Sequence, residues 1–190
     1  MNCNDQAAEE TYWILRRDQL ECLTSPVRAD IVDHLSGRGA LTVRELSASL
    51  GRKPSSLYYH LELLIETGLV LVAGEDNSGR RPEALYRVLA PRMRARRALA
   101  EPANREVVAR MADAALRQAS RDFERGLARD DAQTEGPERK LGFYRSVNRC
   151  DPATLAKVNE HLDAIAELLW SARDEEQPLL TFAWAMAPTR

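Results

Sequence analysis

Between Leu41 and Val70 the apolar positions fall at helical intervals twice over, with a sharp break between the two runs. Leu46 and Leu50 stand four residues apart, and Leu57, Leu61 and Leu64 follow at i, i+4 and i+7, so each run has one apolar stripe. Gly51 lies at the break, where the chain must turn tightly and glycine meets least steric resistance. Pro54 suits the first turn of the second helix, whose early N–H groups have no intrahelical partner. Gly68 closes that helix, and the apolar run Leu69 to Ala73 begins at once. Thr42 with Glu45 three residues on is a capping-box signature for the first helix, and Leu41 to Val43 is expected to add a short strand.

The same reading extends in both directions. Residues 1–8 are polar and without periodicity, a disordered tail. Glu9 to Leu23 is expected to be a helix, with Tyr12, Trp13, Leu15, Leu20 and Leu23 as its large apolar positions. Thr24 or Ser25 then caps a helix that starts at Pro26 and runs to about Ser36, with Val27, Ile31, Val32 and Leu35 as its stripe. Beyond the central run, Leu69–Val72 and Leu85–Leu89 read as two strands around the turn formers Asp76, Asn77, Ser78 and Gly79, a hairpin with Arg80 and Arg81 near its tip. Helix, turn, helix and hairpin in this order is the layout of a winged helix-turn-helix. Residues 91–102, bracketed by prolines, read as a basic connector. A long helix is expected from Ala103 to Arg129, with a stripe at Val108, Met111, Ala115, Ala119 and Phe123. After a polar loop, Leu141–Val147 alternates like a strand. Asp151-Pro152 then starts a helix with Leu155, Val158, Leu162, Ile165 and Leu169 on one face, and Leu179 to Met186 alternates again.

The outward side of the second central helix carries the candidate chemistry. Ser55, Tyr59 and Glu62 point nearly opposite the leucines, with Ser56, Tyr58 and His60 on the flanks. Hydroxyls, phenols and an imidazole near a helix N-terminus can reach base edges and phosphates in a major groove. Arg52 and Lys53 immediately precede the helix, where a phosphate backbone would run, and Arg80 and Arg81 would meet phosphates or the adjacent minor groove. The segment KPSSLYYHLELLIETGLV resembles the recognition helix of bacterial ArsR-type winged-helix regulators, and LTSPVRADIVDHL resembles the helix before it. This resemblance covers roughly residues 20–90 and is most specific over 59–70. It implies a DNA-binding transcriptional regulator, usually a homodimer, in which the N-terminal helix expected over 9–23 would pack across the dimer. Metal-sensing members carry a closely spaced cysteine pair near that helix. Cys3, Cys22 and Cys150 form no such pair, so no metal site and no cofactor is implied.

Composition narrows the classes. The 190 residues are 44% hydrophobic, enough for a packed core, and mean hydropathy is −0.44, with no run near the ~20 apolar residues that span a bilayer. The N-terminus has no apolar signal region, so a cytoplasmic protein is expected. Net charge is −2, yet seven arginines and one acid, Glu83, lie between Arg80 and Arg97, and positive charge focused on one surface suffices for nucleic acid. No GxSxG, HExxH, P-loop or GxGxxG signature is present, and the three histidines, His34, His60 and His161, are far apart, so no enzyme is expected.

Together these features predict an α+β, mostly α chain. It has a winged helix-turn-helix DNA-binding domain over 9–90 and a helix-rich α/β dimerisation or ligand domain over 103–190. The expected partners are double-stranded DNA and a second copy. The aromatics Phe123, Phe143, Tyr144, Trp170, Phe182 and Trp184 are read as core and dimer interface, or as a pocket for a small apolar or aromatic effector. A winged helix used for protein contacts alone is the alternative, with an enzyme behind it.

Overall fold

The structure, a computed structural model, describes residues 11–79, 81–172 and 179–189. It divides into two compact units, Met1–Gln118 and Ala119–Arg190. The chain is α+β.

The first unit starts with a strand, β1 (Thr11–Trp13), followed by a short helix, α1 (Arg17–Cys22). This corrects the single helix expected over 9–23. Thr, Tyr and Trp in succession favour extended backbone, and a partner is at hand: β1 pairs in parallel with β5 (Arg92–Arg94). Helix α2 (Pro26–Arg38) follows with Pro26 at its first turn, and Ile31, Val32 and Leu35 are buried as expected. His34 Nδ1 lies 2.8 Å from the Asp30 carbonyl, a local helix contact.

Strand β2 (Leu41–Thr42) leads into α3 (Val43–Leu50). The Glu45 amide donates to Thr42 Oγ1 at 3.2 Å, and the Thr42 amide donates back to Glu45 Oε2 at 2.7 Å, completing the capping box. At Gly51, φ is +61°, a left-handed conformation that only glycine adopts without steric cost. Helix α4 (Pro54–Glu66) then buries Leu57, Leu61 and Leu64, each 1% exposed or less. The hairpin is β3 (Val70–Asp76) and β4 (Glu83–Val88), antiparallel, with β2 on the other side of β4. A bulge between Val72 and Gly74 breaks the register once.

The stretch 91–102, read as a connector, is built into this unit. It holds β5 and the 3-10 turn Arg96–Ala100, and a second 3-10 turn, Pro102–Asn104, continues it; Ala98 is fully buried. Asn104 Nδ2 donates to the Leu15 carbonyl at 3.1 Å and Arg17 donates to that of Ala103 at 2.7 Å. The guanidinium of Arg97 lies 4.0 Å from the centre of the Trp13 ring, a cation–π contact. Buried Gln19 accepts from the Tyr12 hydroxyl and donates to the Thr67 carbonyl, both at 3.0 Å, tying β1 to the end of α4.

Helix α5 (Arg105–Leu127) crosses the divide between the units. Its buried residues are Val107 and Ala114, and Val108 and Met111 of the expected stripe are packed beside the core, so the inward face is broader than that stripe. Ala115, one position beyond buried Ala114, is exposed.

In the second unit, Asp151 caps α6 (Pro152–Ser171) by accepting from the Thr154 amide at 2.7 Å. Leu141 packs on Gly126, where an added Cβ would come within 2.8 Å of its Cδ2. The Thr181 hydroxyl donates to Asp122 at 2.9 Å. The strands expected over 141–147 and 179–186 are absent among the described residues, so this unit is helical with irregular segments and not α/β. Alternation shows that a segment has two faces; a strand also needs a neighbour to complete its ladder. Phe143, Tyr144, Phe182 and Trp184 are exposed.

Candidate nucleic-acid interface

The hydrogen bonds around Gly51 fix how α4 leaves the turn. The Arg52 amide donates to the Ser47 carbonyl at 3.1 Å, and the Ser47 hydroxyl donates back to the Arg52 carbonyl at 2.5 Å. Arg52 and Lys53 are thereby held just ahead of α4, both exposed. Pro54 has no N–H and the Ser56 amide donates to the Lys53 carbonyl at 3.0 Å, so it is the aligned peptide dipoles that give this end partial positive character.

Five of the expected contact residues stand along the first two turns of α4. Ser55 and Ser56 are exposed, as are Tyr58 (51%) and Tyr59 (62%), and all lie away from the buried leucines. The Ser56 hydroxyl donates to the Lys53 carbonyl at 2.7 Å, so its proton serves the helix start and its outward oxygen can only accept.

His60 differs from the others in being half-buried. Its ring meets that of Tyr59 edge to face, with centroids 5.5 Å apart, and its Nδ1 is buried without a hydrogen-bond partner. Burial, then the nearby charges of Arg28 and Arg52, hold its pKa below the ordinary histidine value. At neutral pH it is an uncharged imidazole, able to make a directed hydrogen bond but not to act as a cation.

At the wing, Asp76 accepts from the Ser78 amide at 2.9 Å and from its hydroxyl at 3.0 Å, which holds the carboxylate below its usual range. Arg81 is exposed near the tip; Arg80 lies outside the described residues. Arg81 shares a hollow with Arg44, Gly79 and Glu83. Arg44 is an exposed residue of α3 that pairs with Glu83 of β4 at 3.6 Å, linking the first helix of the motif to the wing. Sequence reading missed Arg44 and Arg28, because each acquires its place only when α3 meets β4 or α2 meets α4. Glu62, also exposed, keeps this face from being uniformly basic. The Tyr86 hydroxyl on β4 is pushed up by burial and by neighbouring Tyr58 and Glu62, which places these two α4 residues beside the hairpin.

Neither described cysteine joins this face as a ligand. The buried Cys22 thiol lies 3.7 Å from the Leu63 carbonyl behind α4, and Cys150 is exposed in the other unit; Cys3 lies outside the described residues. Among the described residues no group of three or more histidine, cysteine, aspartate or glutamate side chains is placed to hold a metal, and no helix is long and apolar enough to cross a membrane.

No curated protein matches the chain. A family model described as a helix-turn-helix domain matches residues 23–73, from the end of α1 through the first half of β3. The first unit therefore contains a helix-turn-helix domain, the class to which ArsR-type regulators belong, and such a domain points to a DNA-binding regulator.

Proposed function

We propose that the protein is a sequence-specific transcriptional regulator of ArsR-like type, a homodimeric repressor in the cytoplasm and not an enzyme. Helix α4 enters the major groove and the wing, residues 74–84, meets the phosphates or the adjacent minor groove. One observation carries this reading: α4 divides into a fully buried leucine face and an exposed serine–tyrosine face that begins at Arg52 and Lys53. Ser55, Tyr58 and Tyr59 would reach base edges or phosphates, Ser56 would accept from a base amino group, and His60 would add an uncharged hydrogen bond. Arg52, Lys53, Arg81 and Arg80 would hold the backbone, with Arg44 beside them. Two such helices related by a two-fold axis would read half-sites about one helical turn apart.

A mobility shift with the protein's own upstream DNA, taken through salt steps, tests the proposal. Binding should weaken steeply with salt, and replacing Arg80 and Arg81 by alanine should flatten the slope by up to ~2 units. An unchanged slope removes the wing from the interface. No shift even at low salt replaces the whole reading with a winged helix that binds protein.

A further inference from the structure

The β2–β4 ladder joins two opposite charges that are far apart in the chain. Leu41 pairs with Tyr86 and Thr42 with Leu85, antiparallel. Continued for two residues, that register sets Arg44 opposite Glu83, and Arg44 Nε lies 3.6 Å from Glu83 Oε1. The backbone is fixed on both sides. Arg44 stands between Thr42 and Glu45, which close the capping box, and Glu83 begins β4 opposite Asp76 of β3. Two carboxylates on facing positions of a hairpin repel each other. Asp76 has a local role there, since its two oxygens accept from the amide and the hydroxyl of Ser78 and shape the turn. Those bonds leave Glu83 out of the turn, and the cation that the fold sets beside it is Arg44.

The pair is weak. The side chains of Arg44 and Glu83 are 64% and 36% exposed, 3.6 Å is too long for a strong hydrogen bond, and water and salt screen such pairs. It opens on a hollow of about 440 Å³ that Gly79 and Arg81 also line, so two guanidiniums face one carboxylate. An excess of one positive charge, on the side of the wing where α3 begins, suits a second anion. A phosphodiester is such an anion, and its neutralisation also frees counterions condensed on the duplex.

We propose that Glu83 occupies, in the free protein, the place at Arg44 that a DNA backbone phosphate takes in the complex, and so weakens the hold on duplex of any sequence. This rests on the DNA-binding reading above and adds a restraint to it. On binding, Arg44 exchanges the carboxylate for phosphate, and the carboxylate left behind attracts a cation from solution. The ion released from DNA and the ion taken up at Glu83 offset each other, so Arg44 is nearly silent in the salt dependence of the wild type. With the carboxylate removed, Arg44 counts as one full phosphate contact.

The test is the fluorescence anisotropy of two labelled duplexes, the protein's own upstream sequence and a scrambled one, between about 50 and 200 mM salt. Glu83→Gln should tighten binding to both about 3–10-fold near physiological salt and steepen the slope by about one unit. Arg44→Ala alone should leave the wild-type slope within about half a unit. Once Arg44 is replaced, Glu83→Gln should gain less than about twofold, because the acid then holds no arginine back. Glu75→Gln, at an exposed acid of β3, is the control: its effect should be the same with and without Arg44. Urea midpoints should stay in place, and where Glu83→Gln moves its own, Glu83→Ala is used instead. A Glu83→Gln affinity equal to that of the wild type, or a gain as large without Arg44 as with it, overturns the proposal and leaves the regulator standing. Duplex bound by neither the wild type nor Glu83→Gln at the lowest salt overturns both.

Discussion

Helices α4 and α6 are written in the same code and end in opposite conditions. Both begin at a proline, and both space large apolar residues at three and four positions. In α4 those leucines are buried, because α2, α3 and the hairpin meet them within one unit. In α6 the equivalent face is exposed or at most half-buried, and among the described residues of the second unit none is buried to the degree of the first unit's core. Apolar periodicity states which face of a helix needs cover. It does not state whether the cover comes from the same chain.

Core truncation should separate the two helices most strongly. Leu64→Ala should cost the first unit about 2–5 kcal/mol in urea unfolding, the sum of lost transfer energy and the cavity left behind. Leu169→Ala should leave that unit's stability unchanged within about 0.5 kcal/mol. Equal losses at α4 amides by hydrogen exchange would end the contrast.

The next largest effect concerns the exposed end of α4. Arg52→Ala with Lys53→Ala should weaken duplex binding roughly 10–100-fold near physiological salt and lower the salt slope by up to ~2 units, while the urea midpoint stays in place. The same exchange at Arg145 and Arg149, exposed in the second unit, should leave the slope alone.

The caps offer a finer comparison. Thr42→Ala removes an oxygen that is reciprocally bonded to Glu45 and buried beside the core, and should cost about 1–2 kcal/mol of global stability. Asp151→Ala removes an exposed cap from α6. It should lower helix content in circular dichroism by a few residues while the first unit's unfolding is unaffected.

The smallest effect is the titration of His60. Its folded pKa is depressed, so in the acid range the unfolded chain binds the proton more readily and stability rises with pH. The contribution is complete above the ordinary histidine pKa near 6.5 and is lost as pH falls below it. His60→Gln should flatten that part of the stability profile, and an unchanged profile would show that the imidazole is solvated.

Much of the exposed face of α4 was readable in advance. Leu57, Leu61 and Leu64 pointed inward by spacing alone, so Ser55, Tyr58 and Tyr59 had to point out. Thr42 with Glu45, Gly51 and Asp151-Pro152 are local signals whose bonding partners lie within a few residues, and each appears where the spacing placed it. The misreadings share one cause. Tyr12 and Trp13 became a strand because β5, some 80 residues later, offers a parallel edge. Arg97 became a partner of Trp13 where a linker was expected, and Arg44 joined the wing through Glu83. Leu179–Met186 had the alternation of a strand and found no ladder.

Local order was therefore the sequence's own work: helix limits set by caps and turns, inward faces set by period, and a contact surface left by elimination. Tertiary structure alone decided which extended segments became strands, which arginines gathered at the wing, and how far His60 sank beside Arg28. A turn or a cap is closed by neighbours along the chain, at little entropic cost. A ladder, an ion pair across elements or a desolvated imidazole depends on groups brought together from distant positions, and no pattern within one segment encodes them.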